Sequence, residues 1–315
     1  MRRFLAGAVL ASLLVPASAG AGVRLGVVGD KARFRSLTGQ HSQVELVFTN
    51  WGSGANSPGW LDDFFAAHGP MPMISFGTQA KGGAEAIRPR GIASGRGDAY
   101  LIALSNAISR YGKPVYMRPL AEMNGHWNYY CAYNKNGSYR GDAYSTANFR
   151  NAFRRIYLIL HGGTLAEINT RLANRGMPPV RSSTDLPSNT LVRVVWNPQG
   201  FGSPNLAKNS ANSYYPGDGY VDVVANDLYD IRFKAEWDAN LALFRSHPSK
   251  PYAIGEWGLW GIDDPAFVRH MAQFVSTHPR VEAIVYYTSL RGSIFDLGSK
   301  PKSLAAYKRY IVPLG

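Results

Sequence analysis

The chain has 315 residues, 45% of them hydrophobic, and 34 Lys and Arg against 21 Asp and Glu give a formal net charge of +13. Its single cysteine, Cys131, excludes an intramolecular disulfide, so stability must come from the core. The basic residues are scattered and no Lys/Arg run interleaved with aromatics marks a nucleic-acid groove; solubility, or attraction to an anionic envelope, accounts for the charge.

Met1-Arg2-Arg3 is a positive start, followed by uncharged apolar residues 4–15, then Pro16 and the small residues Ala17 to Ala21. That order predicts a secretory leader, cut after Ala19 or Ala21. The apolar run is too short to cross a bilayer as a helix. The expected organisation is a leader at 1–21 and one domain over 22–315, secreted to the extracellular space or periplasm. A monomer is expected, with no stable membrane insertion.

Short runs rich in β-branched and aromatic residues then recur, as strands require. They are Val23 to Val28, Val44 to Thr49, Met71 to Phe76 and Pro114 to Pro119 in the first half. Leu191 to Trp196, Val221 to Ala225, Tyr252 to Gly255 and Val281 to Tyr287 follow in the second. Helical periodicity fills gaps between them. Asp98 to Tyr111 carries Tyr100, Leu101, Leu104 and Ile108 on one side. Ser145 caps a helix with Phe149, Ala152, Phe153, Ile156 and Leu160 in a stripe, Arg150, Arg154 and Arg155 turned elsewhere, and Gly162-Gly163 as the stop. Asp264 to Phe274 and Ser303 to Tyr310 are further helices, and Asp62-Asp63 is expected to start another. Met177 to Ser188 is a loop. Alternating strands and helices predict parallel βα units, and eight strands favour a single-domain α/β fold, a (β/α)8 TIM barrel. The competing fold is a doubly wound sheet, but Val28-Gly29-Asp30 is an ordinary turn, with no Gly-rich phosphate loop.

In such a barrel, function gathers at the C-terminal strand ends. Two of these ends hold a glutamate among aromatics and glycine: Glu122 in RPLAEMNGHWNYY (118–130) and Glu256 in IGEWGLW (254–260). Glycoside hydrolysis needs two carboxylates flanking one bond, and sugar rings need aromatic platforms beside polar groups. No HExxH, clustered Cys/His or calcium-loop spacing appears, so neither metal nor other cofactor is expected. Cys131 is expected to be a bland, partly buried thiol.

RPLAEMNGHW is similar to the acid/base segment of glycoside hydrolase family 26, and GEWG resembles that family's nucleophile segment. VVWNP resembles its fifth strand, VDVVANDLYD its sixth, and SLAAYKRYI its last helix, so the likeness spans most of residues 23–313. The resemblance implies a (β/α)8 barrel and a retaining mechanism on β-mannans, less often on β-1,3-xylan or mixed-linkage glucan. It implies Glu122 as acid/base and Glu256 as nucleophile. Arg118, Asn124, Trp127, Trp196 and Tyr229 would line the cleft, Tyr229 touching the nucleophile. Trp257, beside Glu256, and Tyr286, near the end of the eighth strand, complete the expected substrate-binding set. The chain departs from the family at Ala121, where His usually precedes the acid glutamate. Alanine offers no hydrogen bond to a sugar hydroxyl, and His126 is expected to be an ordinary loop residue. The reading is therefore an endo-acting hydrolase of β-1,4-mannan with a polysaccharide as partner. Another β-glycan, such as β-1,3-xylan, mixed-linkage glucan or an exopolysaccharide, is the alternative substrate. A barrel that binds glycan without cleaving it is the rival from another class.

Overall fold

The computed structural model describes residues 22–315, and the expected leader lies outside the described residues. Eight parallel strands form a closed barrel in sequence order: β1 (Arg24–Gly29), β2 (Val44–Thr49), β3 (Met71–Phe76), β4 (Val115–Pro119), β5 (Val192–Trp196), β6 (Val223–Ile231), β7 (Tyr252–Trp260) and β8 (Val281–Ser289), with β8 pairing back onto β1. The helices are α1 (Lys31–Thr38), α2 (Pro58–Ala67), α3 (Pro89–Ala93), α4 (Asp98–Tyr111), α5 (Thr146–His161), α6 (Leu165–Ala173), α7 (Trp237–Ser246), α8 (Pro265–Thr277) and α9 (Pro301–Tyr310). The β5–β6 connection holds only short 3-10 turns, at Ala207–Asn209, Ala211–Tyr214 and Asp218–Tyr220. No described helix is long and apolar enough to cross a membrane.

Strand alternation divides the core into two layers. Inside the barrel, Leu46, Met73, Tyr116, Val195, Ala225, Ala253 and Val285 pack together. Between barrel and helices, Met117, Val194, Ile254, Ile284 and the helical stripes form the larger layer. The interior is therefore filled, and ligands are confined to the mouth.

Local chemistry explains the helix ends. Ser145 accepts a hydrogen bond from the Asn148 N–H at 3.2 Å and starts α5, and Gly162 ends it at φ +68°. A Cβ at Gly162 would stand 1.9 Å from the Pro187 carbonyl, so only glycine fits. Arg155, off the apolar stripe, is nonetheless fully buried on α5 and clamps Asp98 at the start of α4, with Nε–Oδ1 at 2.6 Å. One expectation is corrected here. Asp62 and Asp63 lie within α2 and do not start it, and Asp62 pairs with Arg110 at 2.9 Å.

Candidate active site

The fourth strand alternates as Tyr116 inward, Met117 outward, Arg118 inward. Arg118 thus rises from the barrel interior at the C-terminal mouth, where it is 1% exposed. Its Nη1 donates to Glu256 Oε1 at 2.6 Å, its Nε to Asn197 Oδ1 at 2.9 Å, and its Nη2 to Asp227 Oδ2. One buried cation therefore joins β4, β6 and β7 to the residue that follows β5. Burial works against its charge, but the carboxylates of Asp227 and Glu256 outweigh that and hold it protonated above the ordinary arginine range.

Glu256 owes its direction to an irregularity in β7. Asn226 pairs with Ile254 and Asp227 with Glu256, so Gly255 is an extra residue on β7, a β-bulge. The bulge resets the alternation: Ile254 and Trp257 both face the helices, leaving Glu256 to face the mouth. Gly255 also faces inward, and a Cβ there would lie 2.1 Å from Asn197 Oδ1 and 2.9 Å from Asp227 Oδ1. The second oxygen of Glu256 accepts from the Tyr229 hydroxyl at 2.7 Å.

Glu122 follows β4 in a turn where Leu120 and Glu122 adopt φ +52° and +54°, the left-handed region that costs a non-glycine residue energy. Neighbouring strands hold this turn: the Leu120 N–H donates to the Phe76 carbonyl at 2.8 Å and the Glu122 N–H to the Asn197 carbonyl at 2.6 Å. The carboxylate accepts from Trp127 Nε1 at 2.6 Å and from Gln199 Nε2. Trp127 can fold back this closely because position 125 is glycine; a Cβ there would sit 2.4 Å from the indole. Burial raises the Glu122 carboxyl above the ordinary carboxylate range and the Glu256 charge adds to it, against the opposing pull of Arg118.

Asp227 is the third carboxyl of the cluster. It is fully buried, and burial pushes it above the carboxylate range against the opposing pull of Arg118, with the charges of Glu256 and Glu122 adding to burial.

Of the residues singled out in the sequence, Arg118, Glu122, Trp127, Tyr229 and Glu256 meet at the mouth. Asn124, Trp196, Trp257 and Tyr286 do not. Asn124 is fully buried and ties the loop after β4 to Gln199 through a pair of 2.9 Å hydrogen bonds. Trp196 sits one residue past inward-facing Val195, so it points outward, against Tyr215 and His247. Trp257 stacks on Tyr307 of α9 at 5.6 Å, and Tyr286 meets it edge-on at 4.9 Å. On β8 the inward aromatic is Tyr287, whose ring lies 6.1 Å from that of Tyr229. Cys131 is fully buried, a correction to partial burial. His126 bonds Ser203 at 3.0 Å. The residues missed were Asn197, Gln199, Asp227 and Tyr287. Period-2 alternation read from Val195, Ala225 and Val285 would have found Asn197, Asp227 and Tyr287, whereas Gln199 lies farther beyond β5 and carries no local signal.

Two hollows flank Glu122. One, about 220 Å³, is lined by Glu256 and by polar side chains including Thr49, Asn50, Thr78 and Gln79. The other, about 710 Å³, is lined by Trp127, Phe201, Leu228, Ile231 and Trp260. Among the described residues no cluster of three or more His, Cys, Asp or Glu is arranged to hold a metal.

A closed (β/α)8 barrel with a carboxylate cluster around one buried arginine at its C-terminal mouth is the class this chain falls in. Its fold is that of the β-mannanases of glycoside hydrolase family 26. Solved structures with this fold include a mannanase from Bacillus subtilis (20% identical, TM-score 0.58, covering 91% of this chain and 85% of that one). The GH26 β-mannanase of Bacteroides ovatus is another (16%, TM-score 0.53, 92% and 88%). A double mutant of Cellulomonas fimi endo-β-1,4-mannanase is a third (17%, TM-score 0.60, 92% and 70%). Among curated proteins, Endoglucanase H of Acetivibrio thermocellus is 22% identical over 298 residues, covering 88% of this chain. The chain spans 28% of that relative's length. No protein-family model matches the sequence.

Proposed function

We propose that this chain is a secreted, retaining, endo-acting glycoside hydrolase of family 26, with β-1,4-mannan as its foremost substrate. The observation that carries this reading is the unequal treatment of two glutamates at one mouth. Glu256 receives Arg118 on one oxygen and Tyr229 on the other, which aims it as a nucleophile. Glu122 is pushed toward its protonated form, as a general acid requires.

In the reaction, Glu256 attacks the anomeric carbon while Glu122 gives its proton to the leaving oxygen. A glycosyl-enzyme ester forms. Glu122, now a carboxylate, takes a proton from water, and that water displaces Glu256. Trp127 and Gln199 stabilise Glu122 in its charged phase.

Reducing-sugar release from β-mannan, β-1,3-xylan and mixed-linkage glucan tests the substrate, and the anomeric form of the first product tests retention. The mannanase likeness puts mannan first, and the likeness to Endoglucanase H puts β-glucan second. Glu256→Ala should abolish release while oligosaccharide binding persists. A variant rate equal to the wild type rules out the nucleophile role.

A further inference from the structure

Arginines scattered along the sequence gather on the flank of the barrel, toward the end opposite the mouth. Tyr220 stands there in a short turn just before β6 begins, and it is 8% exposed. Three guanidiniums surround its ring: Arg171 at 4.8 Å from the centroid, Arg154 at 5.6 Å and Arg175 at 5.7 Å. Arg154 comes from α5, Arg171 from α6 and Arg175 from just beyond α6. Arg150, one turn before Arg154 on α5, adds a further positive charge.

Like charges brought together repel unless an opposite charge answers them. No carboxylate does so here: among the described residues none of the four arginines forms an ion pair. The acids on this flank are engaged elsewhere. Asp222 accepts from Tyr157 at 3.1 Å, from the Val194 N–H at 2.7 Å and lies 2.8 Å from His161 Nε2. Asp218 accepts from Tyr215 at 2.8 Å and Ser249 at 2.9 Å, and Glu167 from the Thr164 hydroxyl at 2.8 Å.

Neutral groups hold the arginines instead. Arg150 donates to the Ser213 carbonyl at 2.5 Å, and Arg171 to the Gly219 carbonyl at 2.8 Å. Arg154 donates to the Pro216 carbonyl at 2.8 Å and to Asn151 at 2.9 Å. Most of each guanidinium's donors stay uncommitted. Burial, and then the charges of Arg175 and Arg150, hold Arg154 below the ordinary arginine range. Burial works to raise the Tyr220 hydroxyl, yet Arg175 and Arg171 outweigh it and leave it below the ordinary tyrosine range. The cations are thus fixed in place with their charge unanswered.

We propose that this cluster is a binding site for a phosphoryl group, held by Arg154, Arg171 and Arg175 around Tyr220. A phosphate monoester carries about −1.5 to −2 charge and three acceptor oxygens, so one group can answer several guanidiniums at once. A carboxylate brings less of both. Planar guanidinium forks match phosphate oxygens in pairs, which lysines cannot do. Free phosphate and a phosphoryl group displayed on a lipid surface share this chemistry. The site lies outside the mouth and stands apart from the hydrolase reading.

The test titrates the chain calorimetrically with inorganic phosphate and, separately, with acetate, at ionic strength matched with chloride. Phosphate should bind saturably and on the order of tenfold more tightly than acetate. Combining Arg171→Gln with Arg175→Gln should weaken phosphate binding roughly a hundredfold, with little change in melting temperature in phosphate-free buffer. If that pair does not fold, Arg175→Gln alone, at an exposed position past the end of α6, should weaken it roughly tenfold. Flotation with phosphatidylcholine vesicles, with and without phosphatidic acid, separates the sources. Recruitment by phosphatidic acid that the variant loses assigns the site to a lipid surface, and phosphate binding without recruitment assigns it to the free ion. Absence of both, acetate binding as tight as phosphate, or unchanged binding in the variants overturns the proposal.

Discussion

Arg118 Nη1 lies 2.6 Å from Glu256 Oε1, and the other terminal nitrogen of the same guanidinium bonds Asp227. The arginine is 1% exposed, so this single side chain is both the electrostatic centre of the mouth and a tie between β4, β6, β7 and the residue after β5. Neither role survives without the other, because removing the cation strands buried carboxyls as it frees Glu256.

Arg118→Met should therefore cost about 3–5 kcal/mol, the usual penalty for an uncompensated buried charge. Activity should fall well over a hundredfold. Arg118→Lys keeps the charge but not the fork that reaches two carboxylates and Asn197 at once, so it should fall between the two. Urea unfolding and initial rates measured on the same samples check both parts.

Tyr229→Phe removes one hydrogen bond from Glu256 and leaves the ring, which packs against Trp260 at 5.9 Å. A bond to a charged group is worth about 1.5–3 kcal/mol, so kcat should drop roughly ten- to a hundredfold with little change in melting temperature. A large loss of stability would assign Tyr229 a packing role instead.

Glu122 must be protonated to act as an acid. Its raised carboxyl places the alkaline limb of kcat/KM above the ordinary glutamate range, with activity lost as pH rises through that value. Glu122→Gln should abolish this limb. Its residual rate should be highest on aryl glycosides, whose leaving groups need no proton. Rate profiles from pH 4 to 9 on both substrate types provide the check.

Asp230, on β6, is 1% exposed, and burial with the neighbouring Asp264 raises its carboxyl to about 6. The folded value lies above the unfolded one, about 3.9. Its contribution to stability is therefore fully present below the unfolded value and is lost as pH rises through about 6. Asp230→Asn, which stays neutral, should raise the melting temperature at pH 8 and change it little at pH 4. Thermal melts at the two pH values decide this.

Strand positions were largely legible because each run is short, apolar and bounded by turns; β2 and β3 match their predicted bounds to the residue. Helix α4 was legible from its apolar stripe, and α5 from its cap and stripe. α1 was not, because KARFRSLT buries only Phe34 and Thr38 and shows no apolar face. In the site, Arg118, Glu122, Trp127, Tyr229 and Glu256 came together, while three aromatics chosen for their place in the chain lay on the wrong side of the sheet. Trp196 and Tyr286 fail simple alternation from their neighbours. Trp257 fails for a subtler reason: without the Gly255 bulge it would face the mouth and Glu256 would not. A bulge depends on how two strands pair, and one strand's sequence does not reveal it.

The left-handed backbone at Glu122 makes the acid a poor choice for folding alone. Glycine or asparagine would suit φ +54° better, by about 1 kcal/mol or more. Under the proposed mechanism, selection for thermal robustness and selection for turnover pull this position in opposite directions. Directed evolution of the barrel toward heat resistance, run without an activity screen, would be drawn toward an inert protein at residue 122.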